Sequence, residues 1–209
     1  MKAREKDKGQ EKFLLEKYTS GSPDHFESFL RGIMKFLNDS KSPDKDIQFK
    51  LISALLTIQS FTKFKELTLG LKDPDGLYRF KAMIGFRDEA IASRKEIVYT
   101  NEDMKDIFSY RPINICRFSQ FHISERKPFK PGMENTYNKP ELLEMQRRHP
   151  DDMIEGDYLE IIIHGKAQSI IGWLELSGTC DQKLPSRESV LKTEFFSTCL
   201  TPILQRING

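Results

Sequence analysis

The four histidines are the side chains of this sequence best suited to binding a metal, and their spacing argues against such a site. His25, His122, His149 and His164 are spread along the chain, and no two have the spacing that would place them on one helix face. A zinc site requires such spacing together with further imidazole or thiolate ligands. A single histidine, His122 or His164, could hold haem as an axial ligand. No other feature points to haem, so we expect neither a metal nor a cofactor.

Three cysteines, none of them in a C-x-x-C pair, are the available thiol nucleophiles. On a strand, Cys116 and His122 would share a face but lie about 20 Å apart, too far for proton transfer. Cys199 falls on an apolar helical stripe, which leaves Cys180 as the one exposed thiol that we expect. An odd and sparse set of cysteines favours a reducing compartment. We predict a cytoplasmic protein that is not an enzyme, with a small thiol-dependent reductase as the weakest alternative.

Charge and glycine patterns exclude further classes of function. The 33 basic and 31 acidic residues nearly cancel, and the basic pair Arg147-Arg148 is followed at once by acidic residues, so we expect no nucleic acid. The twelve glycines are dispersed and form no phosphate-binding loop. Residues 1–12 lack the apolar stretch of a signal peptide, and no apolar run is long enough to cross a bilayer. We expect no membrane partner.

The first part of the chain has helical periodicity. Residues 1–21 are charged and predict a flexible tail, and residues 22–42 predict an amphipathic helix capped by Ser22 with Pro23 in its first turn. A second helix is expected from about Asp44. The two apolar stripes are Phe26, Phe29, Leu30, Ile33, Met34 and Leu37, and then Ile47, Leu51, Ile52, Leu55 and Leu56.

The pattern then changes to the alternation that is typical of strands. Residues 67–71 and 78–82 alternate on either side of the turn signal Asp-Pro-Asp-Gly at 73–76, which predicts a hairpin. We expect a short helix near 101–108 and a strand at 115–123.

Residues 125–156 are irregular, with a short helix expected at 141–148. A loop of this length is more often a binding loop or lid than filler. A disordered or lineage-specific insertion is an equally weighted alternative.

The last fifty residues predict a second hairpin followed by a long helix. Residues 157–164 and 169–176 are rich in β-branched and aromatic side chains. Alternation places Leu159, Ile161 and Ile163 on one face, with Tyr158, Glu160, Ile162 and His164 on the other. We expect Ser186 to cap the closing helix and Pro202 to bend it. The apolar stripe of that helix is Leu191, Phe195, Phe196, Cys199, Leu200, Ile203, Leu204 and Ile207.

The segments GDYLEIII at 156–163, SIIGWLEL at 169–176 and DQKLPSRES at 181–189 resemble the final strands, loop and helix of the GAF domain family, in its prokaryotic and archaeal form. RFSQFHI at 117–123, KDPDG at 72–76 and AMIGF at 82–86 resemble earlier parts of the same family. The resemblance implies an α+β fold of GAF/PAS type, an α/β sandwich. Its central antiparallel sheet would have about five to six strands, with the N- and C-terminal helices on one face. The GAF-like domain would span 43–207.

Two features depart from the family pattern. Ile163-His164 stands where a proline is usual, and Asn138-Lys139 is followed by Pro140 with no phenylalanine after it. Because the latter signature marks the members that bind cyclic nucleotides, the resemblance does not predict cyclic nucleotide binding.

The family's ligand cavity lies on the sheet face away from the helices. The resemblance therefore implies seven ligand-binding residues, namely Tyr158, Glu160, Ile162, Trp173, Glu175, Arg117 and Ser119. If the strand expected at 115–123 turns its other face to the cavity, Phe118, Gln120 and His122 would take the place of Arg117 and Ser119. The alternative is that Glu160 and Glu175 simply face solvent.

The resemblance implies a non-catalytic sensory or signalling domain that binds a small molecule and relays its state through the terminal helices. A ligand-free dimerisation or interaction module on the same fold is the alternative. The partners would be a small-molecule ligand and either a second copy of the chain or a signalling protein.

Overall fold

In the part of the chain that the computed structural model describes, six strands form one antiparallel sheet, in the order β2–β1–β6–β5–β4–β3. The structure describes residues 25–42, 44–106 and 110–207. The strands are β1 Phe64–Lys72, β2 Tyr78–Ile84, β3 Ile113–Asn114, β4 Ser119–His122, β5 Tyr158–His164 and β6 Ile170–Thr179. The predicted α+β fold with an antiparallel sheet is confirmed. The predicted tail 1–21 and the Ser22 cap lie outside the described residues.

Within the described residues, four α-helices accompany the sheet: α1 His25–Asp39, α2 Ile47–Phe61, α3 Asp88–Lys95 and α4 Arg187–Ile207. Two of the helix starts have a clear local cause. The Asp46 carboxylate accepts a hydrogen bond from the Phe49 amide at 2.6 Å, and the Ser186 hydroxyl accepts one from the Ser189 amide at 3.2 Å. The cap predicted at Ser186 is thus confirmed, and α4 continues through Pro202 to Ile207.

The main core lies between the sheet and three helices, α1, α2 and α4, so the predicted placement of terminal helices on one face is confirmed. The inward residues of β5 are Leu159, Ile161 and Ile163, as the alternation predicts. Helix α1 belongs to the same core as the rest of the chain. The helices contribute Phe29, Ile33, Phe36, Leu51, Leu55, Ile58, Phe196, Leu200 and Leu204.

Part of each terminal helical stripe is not covered by the core. On α1, Phe26 and Met34 are 58% and 63% exposed, and on α4 Phe195 is 52% exposed. Leu30 and Leu191 are exposed as well. The sheet contacts only the part of each helix that faces it, so each stripe is part core and part exposed surface.

Three local predictions differ from the structure. The helix α3 was not anticipated, whereas the helix expected near 101–108 is a 3₁₀ turn at Asp103–Lys105, with residues 107–109 outside the description. The expected strand 115–123 is shorter, because the Ser119 carbonyl accepts hydrogen bonds from two amides of the preceding turn.

The helix expected at 141–148 is replaced by a 3₁₀ turn at Pro140–Leu142. Arg147 lies beyond this turn and forms an ion pair with a buried carboxylate, which fixes its side chain inside the irregular segment.

Within the described ranges, no helix combines the length and apolar character needed to cross a membrane.

The buried carboxylate that holds the 124–157 segment is Asp157, at the start of β5. Asp157 has a fully buried side chain that accepts hydrogen bonds from the amides of Ser124 and Ile154, both at 2.9 Å. The guanidinium of Arg147 contacts both of its oxygens, at 2.8 and 2.9 Å, and also pairs with Glu125. A buried carboxylate that is satisfied in this way fixes the two ends of a long irregular segment to one point.

We expect Asp157→Asn to lower the free energy of unfolding by about 3–5 kcal/mol, because it leaves the Arg147 guanidinium without its buried counter-charge. Urea denaturation followed by circular dichroism measures the free energy of unfolding. The control is Asp181→Asn, which removes an exposed carboxylate paired with Lys63 and should change stability little. Equal effects of the two substitutions would contradict the central role of Asp157.

Candidate functional site

The sheet face opposite the three helices carries a second, smaller apolar cluster. Trp173 on β6 lies at its centre and contacts the rings of Tyr78, Phe80 and Tyr99 at centroid distances of 6.4, 5.1 and 5.6 Å. Its six-membered ring covers Gly70 of the neighbouring strand, where a Cβ atom would overlap it. A glycine at this position is what allows the only tryptophan of the chain to lie flat against the sheet.

A buried ion pair joins this face to helix α3. The Glu175 carboxylate accepts a hydrogen bond from Arg94 Nη1 at 2.6 Å and one from the Trp173 indole at 3.0 Å. Burial opposes the charge of Arg94, but the Glu175 carboxylate outweighs this effect, so the pKa of Arg94 is raised. The guanidinium also lies over the rings of Phe80 and Phe86, at 5.1 and 4.5 Å.

The irregular segment is held over the sheet through its own backbone carbonyls. Arg94 Nε donates to the Thr136 carbonyl at 2.8 Å, and Arg87 Nε donates to the Tyr137 carbonyl at 3.1 Å. The side-chain amide of Asn138 in turn donates to the Gly85 carbonyl at 3.0 Å. These contacts join residues 135–138 to the end of β2 and to α3.

A second polar group lies beside Glu175 on the same face. The carboxylate of Glu160 is 3.1 Å from Nε2 of His122, and the His122 ring stacks on that of Tyr158 at a centroid distance of 4.3 Å. Nδ1 of His122 is 3.4 Å from the Tyr110 carbonyl. His122 is 3% exposed, so this imidazole lies inside the protein next to a carboxylate.

These groups surround a cavity of about 70 Å³ between the sheet and the described residues of 99–106 and 110–112. Five of the seven residues predicted to bind a ligand line it together: Tyr158, Glu160, Ile162, Trp173 and Glu175. Gln120 and His122, which the opposite strand parity predicts, line it too. The volume corresponds to roughly five water molecules, at about 10–15 Å³ each.

Arg117 and Ser119 do not lie at this cavity. Ser119 pairs with Ile161 of β5, an inward residue of the main core, so its side chain is on the helix face. There its hydroxyl donates to the Glu194 carboxylate of α4 at 2.6 Å. Arg117 is exposed, in the turn before β4, with its guanidinium over the Phe118 ring. The parity chosen for this strand is wrong, because Ser119 pairs with the inward Ile161 and the alternation then places Gln120 and His122 at the cavity, while Arg117 precedes the strand.

Several cavity residues come from irregular segments and were not anticipated. Tyr99, Asp103, Asp106 and Tyr110 line the cavity from the segment that covers it. No periodic pattern could have indicated them, since each is placed by a turn. Burial raises the pKa of Tyr158 and Tyr99 well above the usual value for a phenol, so both hydroxyls stay protonated and can donate hydrogen bonds.

Metal and thiol chemistry find little support in the described part of the chain. No group of three or more His, Cys, Asp or Glu side chains there could hold a metal ion. Cys180 is exposed, as expected, and burial raises the pKa of the Cys199 thiol. A raised thiol pKa disfavours the nucleophilic thiolate.

Comparison with solved structures identifies the fold. The GAF domain of a phosphoenolpyruvate-protein phosphotransferase from Acinetobacter superimposes with a TM-score of 0.53 at 12% sequence identity, covering 85% of this chain and 92% of that one. The GAF domain of a putative sensor histidine kinase from Pseudomonas syringae pv. tomato gives 0.51 at 14% identity, covering 86% and 87%. A GAF domain/HD domain protein from Geobacter sulfurreducens gives 0.52 at 9% identity, covering 84% and 93%.

No family model matches the sequence, and no curated protein matches it either. The chain therefore has the fold of a GAF domain, and the resemblance seen in its sequence is confirmed at the level of the fold. The function of the cavity residues stays a prediction.

We expect Gly70→Ala to lower the free energy of unfolding by about 1–3 kcal/mol and to shift the emission of Trp173, because the new methyl group displaces the indole. Thermal unfolding and tryptophan fluorescence measure the two effects. The matched control is Gly32→Ala in α1, where a Cβ meets open space and helix propensity favours alanine by up to ~1 kcal/mol. An unchanged Trp173 emission in Gly70→Ala would contradict the described packing.

Proposed function

We propose that this protein is a sensory or signalling domain that binds a small molecule in the cavity on its sheet and has no catalytic role. The observation that carries the proposal is the cavity itself, where Tyr158, Glu160 and Trp173 meet on the face away from the helices. Small-molecule sites are apolar with a few placed polar groups, and this cavity combines aromatic walls with carboxylates that include Glu160 and Glu175. The GAF domains that share the fold generally serve in sensing or signalling.

The relay to the terminal helices would run through strand β4. Gln120 and His122 of this strand line the cavity. On the other face of the sheet, Glu194 of α4 accepts hydrogen bonds from the Ser119 hydroxyl at 2.6 Å and from the Phe118 amide at 2.8 Å. A ligand that shifts β4 would thereby act on α4, provided that it binds one arrangement better than the other.

The domain boundaries and the location of the protein belong to the same proposal. The functional domain would span 43–207, preceded by the helix 22–42 and the tail 1–21, in a cytoplasmic protein. Its output would pass to a second copy or to a signalling partner.

We expect native mass spectrometry of the freshly purified protein to show a bound small molecule in addition to the mass of the chain. Gln120→Trp should abolish the added mass, because an indole on β4 fills the cavity. The control is Gln48→Trp, at an exposed position of α2, which should retain it. A chain mass without addition in the wild type, or an addition that persists in Gln120→Trp, would sink the proposed site.

A second candidate function is dimerisation without a ligand. The exposed apolar side chains of the two terminal helices favour it. Phe26, Phe29 and Leu30 of α1 and Leu191 and Phe195 of α4 border an almost entirely apolar groove of about 580 Å³. Exposed apolar patches of this kind mark interaction surfaces.

We expect the wild type to be a dimer in size-exclusion chromatography with light scattering, and Phe195→Glu to be a monomer, because a carboxylate in the groove would lose its hydration on dimerisation. The matched variant Thr198→Glu, at an exposed position on the same helix, should remain dimeric. A monomeric wild type at micromolar concentration would exclude this function.

A further inference from the structure

Two carboxylates lie opposite each other on the floor of the cavity. Glu160 of β5 and Glu175 of β6 are directly paired residues of neighbouring antiparallel strands, and both side chains line the cavity. Like charges at directly opposed positions destabilise a sheet. Each carboxylate on this face therefore needs a compensating positive charge or hydrogen-bond donors.

Glu175 receives full compensation from the protein. One of its oxygens accepts from the Trp173 indole and the other from the buried Arg94 guanidinium. Arg94 in turn lies within 6.0 Å of three ring centroids, those of Phe80, Phe86 and Tyr137. On this part of the sheet, the chain itself places a cation between a carboxylate and aromatic faces.

Glu160 receives less compensation. Among the described residues, only His122 Nε2 reaches its carboxylate. The other ring nitrogen of His122 faces the Tyr110 carbonyl, which can only accept a hydrogen bond. A neutral imidazole carries one N–H, so His122 donates either to the Glu160 carboxylate or to the Tyr110 carbonyl and not to both.

The rest of the cavity offers aromatic surroundings like those of Arg94, and among the described residues no lysine or arginine contacts Glu160. The rings of Tyr99, Tyr110, Tyr158 and Trp173 line it, and the covering segment contributes Lys105, Asp106 and Asp103, the last of which is paired with Lys130 at 3.1 Å. The Tyr110 hydroxyl oxygen is buried and has no hydrogen-bond partner among the described residues. Aromatic faces and carboxylates attract cations, and a recess lined by them concentrates that attraction.

We infer that the cavity binds a small organic cation, a protonated amine whose ammonium group donates to the Glu160 carboxylate while its carbon chain lies against the aromatic rings. This inference rests on the proposed function and names the class of its ligand. The ammonium group supplies a positive charge beside Glu160, which no lysine or arginine of the described residues contacts. The cavity of about 70 Å³ limits the ligand to a few non-hydrogen atoms.

Three probes of equal length and different charge test the inference: n-butylammonium, the neutral n-butanol and the anionic butyrate. Trp173 is the only tryptophan and lines the cavity, so its fluorescence reports occupancy directly. We expect saturable titration by n-butylammonium in the millimolar range, as befits so small a ligand. At equal concentration and constant ionic strength, n-butanol and butyrate should bind at least tenfold more weakly.

Glu160→Gln keeps the size of the side chain and removes its charge, and it should weaken n-butylammonium binding at least tenfold. The control is Glu188→Gln, an exposed carboxylate on α4 across the sheet, which should bind like the wild type. Circular dichroism melting of each variant establishes that it is folded. If Glu160→Gln does not fold, Glu160→Asp replaces it and should also weaken binding, because the shorter carboxylate withdraws from the ligand.

Equal binding of the three probes, a preference for butyrate, or full amine affinity in Glu160→Gln would overturn the inference. So would the absence of any titration by n-butylammonium. The proposed function is judged separately by the co-purified mass and its loss in Gln120→Trp. If the co-purified molecule is neutral or anionic, the cavity is still a ligand site, and only the assignment of its ligand as a cation is wrong.

Discussion

The opposed carboxylates of Glu160 and Glu175 are the constraint on which the functional face of this sheet depends. Two acidic side chains at paired positions can be covered only if each is compensated. Arg94 compensates Glu175 from helix α3, whereas Glu160 has only the imidazole of His122 from β4 within reach among the described residues. These two contacts join α3 and β4 to the acidic pair on this face of the sheet. The same constraint leaves a small recess beside Glu160 in which a ligand could lie.

The sequence predicts the parts of this arrangement that depend on strand periodicity. Leu159, Ile161 and Ile163 alternate with Tyr158, Glu160 and Ile162, so the assignment of the two faces of β5 needs no tertiary information. For β4 the alternation also holds, but periodicity alone does not decide which face turns to the cavity: Gln120 and His122 line it, whereas Ser119 faces α4. Arg94 and Tyr99 come from a short helix and a turn distant in sequence, and only the folded chain brings them to the sheet.

The terminal helices show a different limit of sequence reasoning. The sequence pattern correctly predicts the apolar stripes of α1 and α4. It does not indicate whether the core of the domain or another protein covers each part of a stripe. Phe29 and Phe196 lie in the core, whereas Phe26 and Phe195 face outward from the same stripes. The wide stripe of a helix on a sheet can serve two surfaces at once, one within the domain and one available to a partner.

The way in which the irregular segment is attached has a consequence for sequence variation. Arg87 and Arg94 bind the carbonyl oxygens of Asn135, Thr136 and Tyr137, and carbonyl oxygens are present whatever the side chain. These contacts therefore do not depend on which side chains stand at 135–137, whereas Asn138 and Arg147 attach the segment through their own side chains. Residues 135–137 can vary while the carbonyl contacts persist, so that this part of the attachment constrains the path of the backbone rather than the identity of its side chains.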